Sequence, residues 1–176
     1  MQNQFVFFTL FLLMSCHPDK HKPVESEDMR FTTTDASEMY FKNIRQSSYL
    51  VEQKPEAGIN IYRNKDFRKN EIWLEPILVI NWRNDQAFLL MEEKQEESTD
   101  EVSFSRTSSK NELLTFDKSH HKNHTEFALL VYNSLLNGDT VLYHSEGEAI
   151  PLLQNDIQRT AFRKVVFDWL RIVEIR

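Results

Sequence analysis

The chain has 176 residues, of which 40% are hydrophobic and 12% are aromatic, with only three glycines. This composition fits one folded domain with an ordinary apolar core and excludes low-complexity and collagen-like proteins. The formal net charge is −6 and both charge signs are interspersed, so no basic stripe is present to neutralise a phosphate backbone, and nucleic acid is not expected as a partner.

The first residues have the pattern of an export signal. Phe5–Met14 is an apolar run interrupted only by Thr9, which matches the apolar part of a secretory signal, about 7 to 15 residues long. A membrane-spanning helix needs roughly 20 apolar residues. Cys16 follows directly and, as the one cysteine, cannot form an internal disulfide. The alternatives are an ordinary cleaved signal, an uncleaved anchor, or a buried strand with an incidental thiol.

The stretch Leu13-Met14-Ser15-Cys16 resembles the lipobox of bacterial lipoproteins. In that motif a leucine three places before the cysteine and a small residue just before it precede the lipidated thiol. Leu13, Ser15 and Cys16 match, whereas Met14 is bulkier than usual and Met1–Gln4 lacks a lysine or arginine. The resemblance implies cleavage before Cys16 and lipidation of its thiol, and two acyl chains would make the attachment stable.

The segment after the cysteine is predicted to be a flexible tether. His17–Arg30 contains two prolines, seven charged residues and one aliphatic residue, Val24, which is too little apolar surface to offset the entropy of ordering. The sequence therefore predicts three parts: a lipoprotein signal peptide (1–15), a flexible tether (16–30) and a globular domain (31–176).

The globular part begins with a predicted helix over about 36–47. Asp35 and Glu38 have the spacing of a capping box at its start. Helical spacing places five residues on the face that is expected to be buried: Ala36, Met39, Tyr40, Ile44 and Ser47.

Strands are predicted next. The alternating stretch from Gly58 predicts a half-buried strand, and the apolar runs Ile77–Trp82 and Ala87–Met91 predict a hairpin around four polar residues. Because both runs are apolar on both faces, this hairpin is expected to be central and covered on two sides. The acidic stretch Glu92–Glu101 predicts a solvated strand end and loop, and it lacks the spacing of a calcium-binding loop.

The second half of the chain also contains patterns that predict strands and helices. Two shorter strands, 102–106 and 113–116, precede a helix over about His121–Asn137 that ends at Gly138, and a second hairpin turns at Glu146-Gly147. The C-terminal helix is predicted from caps at Asn155 and Gln158 and from an apolar stripe: Ile157, Ala161, Val165, Trp169 and Val173. Adjacent hairpins with helices at both ends predict an α+β single domain, mainly an antiparallel sheet of hairpins with about three helices.

A histidine-rich segment is the most conspicuous chemical pattern. Asp117, His120, His121, His124 and Glu126 lie within ten residues, and His120 and His124 would be one helical turn apart, as in some zinc sites. His121, however, occupies the position at which a zincin has its glutamate base. The pattern therefore predicts an exposed helix start, with no metal and no cofactor. The alternative is a small envelope hydrolase or metal-binding protein using these histidines.

Other catalytic or ligand-binding patterns are weak. No Gly-x-Ser-x-Gly elbow singles out a nucleophilic serine, and no catalytic residue is predicted. Trp73, Trp82 and Trp169 could line a sugar-binding surface, but Trp82 and Trp169 fall on apolar stripes and are predicted to be core residues.

A wider resemblance concerns the folded part. The stretches FTTTDASEMYFKNIR and VINWRNDQAFLL resemble small lipoproteins of Bacteroidetes-type bacteria, a likeness that brings no activity with it. It implies an envelope protein held at the outer membrane, on its periplasmic or surface face. The resulting hypothesis is a non-catalytic binding or structural module whose partners are the membrane, through the lipid anchor, and an envelope protein.

Overall fold

The structure is a computed structural model that describes residues 23–25, 27, 29–68, 74–93, 101–145 and 148–175. The predictions for Cys16, Trp73, most of the acidic stretch and the turn at 146–147 lie outside the described residues. Within them the chain forms four α-helices and two four-stranded antiparallel sheets. The predicted α+β single-domain fold is thus confirmed.

The first sheet contains four strands in the order β1-β2-β3-β4. They span Tyr49–Lys54 (β1), Ile59–Asn64 (β2), Leu74–Asn81 (β3) and Gln86–Glu93 (β4). β3 and β4 form the predicted hairpin, and β3 is central and buried over most of its length. β4 lies at the sheet edge, so the expectation of a fully central hairpin is wrong for this strand.

The second sheet has the strand order β6-β5-β7-β8. Its strands span Glu101–Arg106 (β5), Ser109–Asp117 (β6), Val141–Ser145 (β7) and Glu148–Pro151 (β8). The two predicted short strands and the second predicted hairpin are therefore confirmed. β5 pairs with both β6 and β7, so the helix between β6 and β7 links two strands on opposite sides of β5.

The N-terminal helix differs from the prediction. α1 spans Asp35–Tyr40 and continues as a π-helical turn over Phe41–Arg45 and a 3₁₀ turn over Gln46–Ser48. Its N-cap is Thr34 rather than Asp35. The Thr34 hydroxyl accepts a hydrogen bond from the Ser37 N–H at 3.2 Å, and the Thr34 N–H donates to the Ser37 hydroxyl at 3.1 Å.

The predicted buried face of this helix is also wrong. Met39 is 63% exposed and Ile44 is 59% exposed, whereas Phe41 is buried and contacts the rings of Tyr49 and Tyr62.

Met39 lies in the α-helical part, whose buried face carries Glu38 instead. The Glu38 carboxylate accepts a hydrogen bond from the Thr33 hydroxyl at 2.8 Å and pairs with Lys42 at 2.9 Å. The prediction followed apolar residues and therefore missed a face that carries a buried glutamate.

The remaining helices include the two long ones, which agree with their predictions. A single turn, Lys65–Arg68 (α2), follows β2; α3 spans His121–Leu136 and α4 spans Asp156–Ile172. Gly138 ends α3 with a φ of +73°, and the Asn155 side chain accepts a hydrogen bond from the Gln158 N–H at 2.9 Å. The predicted stripe of α4 is buried except at Ile157, which is exposed.

One hydrophobic core joins both sheets to α3 and α4. Its buried members include Leu78 and Leu89 from the first sheet, Phe104 and Phe116 from the second, and Phe127 from α3. Of the two tryptophans predicted for the core, Trp169 is fully buried, whereas the prediction is wrong for Trp82. Trp82 lies 45% exposed in the β3–β4 turn, beneath the guanidinium of Arg83.

The outer edge of β4 is closed by groups from three other parts of the chain. The Ala87 N–H donates to the Phe31 carbonyl at 2.7 Å, and the Ala87 carbonyl accepts from the Trp169 indole N–H at 3.0 Å. The Leu89 carbonyl accepts from the Thr125 hydroxyl at 3.0 Å. The main-chain groups of an open edge strand invite pairing with other chains, and these bonds occupy them.

A buried carboxylate fixes α4 to the first sheet. Asp168 is 2% exposed, and its two oxygens accept hydrogen bonds from Arg45 Nε and from the Tyr49 hydroxyl, each at 2.7 Å. Burial raises the pKa of Asp168, and the two donors oppose that shift. These two hydrogen bonds orient the π-helical turn, through Arg45, and β1, through Tyr49, relative to α4.

Candidate functional site

The structure separates the three histidines of the predicted cluster. His120 is the exposed N-cap residue of α3 and caps with its main chain alone. The His121 ring lies edge-on to the rings of Phe31 and Phe88, with centroid separations of 5.3 and 5.0 Å. His121 therefore packs against aromatic side chains rather than pointing at its two neighbouring histidines.

Both ring nitrogens of His124 are bonded to main-chain groups. Nδ1 accepts a hydrogen bond from the Met91 N–H at 3.0 Å, so Nε2 carries the proton and donates to the Lys118 carbonyl at 3.0 Å. The ring also stands edge-on to Phe116. This bond to Met91 is a further contact on the β4 edge, so His124 fixes α3 against β4 and has no nitrogen left for a metal ion.

The acidic members of the cluster are likewise engaged. Asp117 accepts hydrogen bonds from Ser119 and Asn123, which lower its pKa, and Glu126 pairs with Lys122 at 3.6 Å. Within the described part of the chain, no group of three histidine, cysteine or acidic side chains is arranged to hold a metal ion. The geometry therefore gives no support to the metal-binding alternative.

A serine–histidine contact that the sequence did not indicate lies on the second sheet. His144 Nε2 is 2.9 Å from the Ser105 hydroxyl. Ser105 is 2% exposed in the middle of β5, opposite Leu142, and no carboxylate of the described residues contacts His144. A nucleophilic serine needs access to substrate and an oriented base, so this contact is a cross-strand hydrogen bond.

A concave feature of the described surface is a groove along α3, with a volume of about 610 Å³. Small-molecule and cofactor sites commonly have volumes of about 300–1,000 Å³. One stripe of α3 at helical spacing forms its floor: Glu126, Leu129, Leu130, Asn133, Ser134 and Asn137. Arg106, Ser108 and Asp139 form one wall, and Val24 and Glu25 form the other. We call this feature the α3 groove.

Asn133 holds the main-chain segment that forms one wall of the α3 groove. Its Oδ1 accepts a hydrogen bond from the Val24 N–H at 3.1 Å, and its Nδ2 donates to the Val24 carbonyl at 2.9 Å. The half-buried Val24 side chain packs against the hydrophobic core. A side-chain amide that pairs with both polar groups of one residue binds a peptide as a neighbouring β-strand does. Part of the predicted tether is thus bound to the domain.

The Asp139 carboxylate, in one wall of the α3 groove, is held by several hydrogen bonds. The carboxylate accepts hydrogen bonds from the hydroxyls of Thr107 and Ser108, from the Ser108 N–H at 3.1 Å and from the Thr140 N–H at 2.9 Å. Burial acts to raise its pKa, but these donors outweigh it and lower the pKa of Asp139 to about 2. The donors satisfy the carboxylate within the protein, and it anchors the β5–β6 turn beside the groove.

Comparison with protein-family models, with curated protein sequences and with solved structures finds no match for this chain. Among the described residues, no helix has the length and apolar character needed to span a membrane.

Proposed function

We propose that the chain is a lipid-anchored protein of the bacterial cell envelope, held at the outer membrane, and that its folded domain binds another protein without catalysing a reaction. The lipobox-like stretch ending at Cys16 supports the anchor. The observation that carries the binding function is the contact between Asn133 and the main chain of Val24, because it is peptide-binding chemistry in an open groove.

The histidine segment favours this proposal over the alternative of an envelope hydrolase or metal-binding protein. Both nitrogens of His124 bond to the main chain, and His121 packs on aromatic rings. A catalytic or metal site needs side chains that converge on an open space with free lone pairs. His124 and Asp117 are instead engaged in holding the start of α3, and the His120 side chain is exposed at its N-cap.

The anchor is tested by labelling growing cells with a palmitate analogue. We expect the wild-type chain to incorporate the label and Cys16→Ala to incorporate none, because Cys16 supplies the acylated thiol. Ser15→Ala is the matched control, since it keeps a small residue before the cysteine. Equal labelling of wild type and Cys16→Ala would contradict the anchor.

The binding function is tested by crosslinking in intact cells, followed by identification of co-purifying proteins. We expect a defined envelope protein with the wild type and a reduced yield of it with Asn133→Ala. Recovery of only abundant porins and lipid, equally from both chains, would contradict the proposal.

A further inference from the structure

We infer that the α3 groove binds an extended peptide segment of a partner protein, and that the chain's own Pro23–Glu25 segment is a built-in competitor that this peptide must displace. The inference rests on the proposed binding function and specifies the chemistry of the partner. It begins from the fact that a main-chain segment of this chain already pairs with Asn133 at one side of the groove.

The contacts to that occupant indicate what the groove recognises. The Asn133 amide forms hydrogen bonds with one N–H and one C=O group of the main chain, which every residue except proline offers. This contact therefore selects an extended main chain rather than a particular sequence. Selectivity comes from the Val24 side chain, which is half-buried against the core at this point. A small branched aliphatic residue is therefore the expected anchor of a competing peptide.

Two of the acidic groups around the groove contribute little selection. Glu126 pairs with Lys122 at 3.6 Å, and the Asp139 carboxylate is satisfied by hydroxyl and N–H donors of the β5–β6 turn and by the Thr140 N–H. Acidic groups that are already paired neither strongly attract nor repel a charged peptide. Main-chain pairing and the aliphatic contact remain as determinants, together with Arg106, a cationic side chain that lines the groove.

The competitor is held close to its site by the fold itself. Phe31, seven positions after Val24, is fixed to β4 because its carbonyl accepts from the Ala87 N–H at 2.7 Å. A segment tethered this closely has an effective concentration of about 1 mM or more at its site. A peptide in solution therefore binds weakly until the internal segment leaves, and its apparent affinity falls by the fraction of sites occupied.

The test uses a fluorescent peptide with the sequence His21–Asp28 and detergent-solubilised full-length protein, with fluorescence anisotropy as the readout. In Val24→Pro the internal segment loses the N–H that donates a hydrogen bond to Asn133 Oδ1. We expect the peptide to bind this variant at least about tenfold more tightly than wild type, since the competitor is weakened. Adding Asn133→Ala to Val24→Pro should remove the gain, whereas adding Asn137→Ala, on the same groove floor, should keep it.

A second probe needs no further protein variant. The same peptide N-methylated at its valine keeps the side chain but lacks the N–H donor, and we expect it to bind Val24→Pro at least about tenfold more weakly. Equal affinity of wild type and Val24→Pro, or equal affinity of both peptides, would overturn the inference. If the protein incorporates palmitate but fails the peptide test, the anchor proposal stands and the groove inference is wrong. If it exchanges the peptide but incorporates no palmitate, the groove inference stands and the anchor proposal is wrong.

Discussion

At the scale of single residues, His124 provides the sharpest contrast between a structural and a chemical role. His124→Phe keeps a ring beside Phe116 but removes the hydrogen bonds that His124 makes with the Met91 N–H and the Lys118 carbonyl. Because unsatisfied buried groups are costly, we expect the free energy of unfolding to fall by about 2 kcal/mol. Urea denaturation followed by circular dichroism measures this.

His120 supplies the matched control for that prediction. Its side chain is exposed and makes no capping bond, so His120→Ala should change the free energy of unfolding by less than about 0.5 kcal/mol. A metal site shared by the two histidines predicts the reverse pattern: similar losses of zinc affinity in both variants and little change in stability without zinc. A zinc titration by calorimetry distinguishes the two.

Asp139 gives a pH-dependent prediction. Its pKa lies near 2 in the folded chain, below the ordinary 3.8, so the ionised carboxylate stabilises the fold above pH 3.8, and this stabilisation is lost as the pH falls toward 2. We expect Asp139→Asn to lower the free energy of unfolding by about 1 kcal/mol at pH 6, a small effect because solvent screens the site. Denaturation curves at pH 6, 4 and 2.5 should show the difference between variant and wild type shrinking. A constant difference would contradict this assignment.

Asn133 shows where prediction from the sequence ends at this scale. The sequence places Asn133 on α3, in a stripe of mixed polar and apolar residues. Such a stripe is equally typical of the boundary between a helix's buried face and its solvent-exposed face. Its partner is the main chain of Val24, which lies 109 positions earlier in a stretch with one aliphatic residue. Local patterns contain no signal for a pairing between a side chain and a distant main chain, so only the structure identifies the groove.

At the scale of elements, the bonded edge of β4 makes a prediction about stability. Thr125→Val keeps the shape of the side chain but removes the donor to the Leu89 carbonyl. The buried carbonyl then lacks this bond, so the free energy of unfolding should fall by about 1–2 kcal/mol. Urea denaturation followed by circular dichroism measures the loss.

Thr115→Val tests whether this effect belongs to the edge. Thr115 lies exposed on β6, and the same change of side chain there removes no bond to β4. We expect the free energy of unfolding to stay within about 0.5 kcal/mol of wild type. Equal effects of the two substitutions would show that valine itself, rather than the opened edge, is responsible.

The sequence predicts elements well where burial is regular and poorly where it is not. The β3–β4 hairpin, α3 and α4 follow from apolar runs and stripes that pack on one core. β1 was not predicted, because Tyr49 is its one buried residue and no alternation marks the strand. The face of α1 was mispredicted because its buried face carries Glu38, a hydrogen-bonded carboxylate that a search for apolar stripes does not indicate.

At the scale of the whole molecule, the shared core predicts cooperative unfolding. Phe104 and Phe116 of the second sheet belong to the same buried cluster as Leu78 and Leu89 of the first, so the main core is shared by both sheets. The first sheet adds a small separate cluster around Ile61, Ile77 and Val79. We expect far-ultraviolet and near-ultraviolet circular dichroism to give the same urea midpoint, as in two-state unfolding. Two separated transitions would show that the sheets unfold independently.

The bond between Asn133 and Val24 also bears on how far the domain can stand from a membrane. Val24 is eight positions after Cys16, a distance that an extended chain covers in at most about 28 Å. Without this contact the next described residue packed on the core is Met29, thirteen positions after Cys16, or about 45 Å. If Cys16 carries the lipid, exchange of Pro23–Glu25 for a partner's peptide would increase by roughly half the height above the bilayer that the domain can reach.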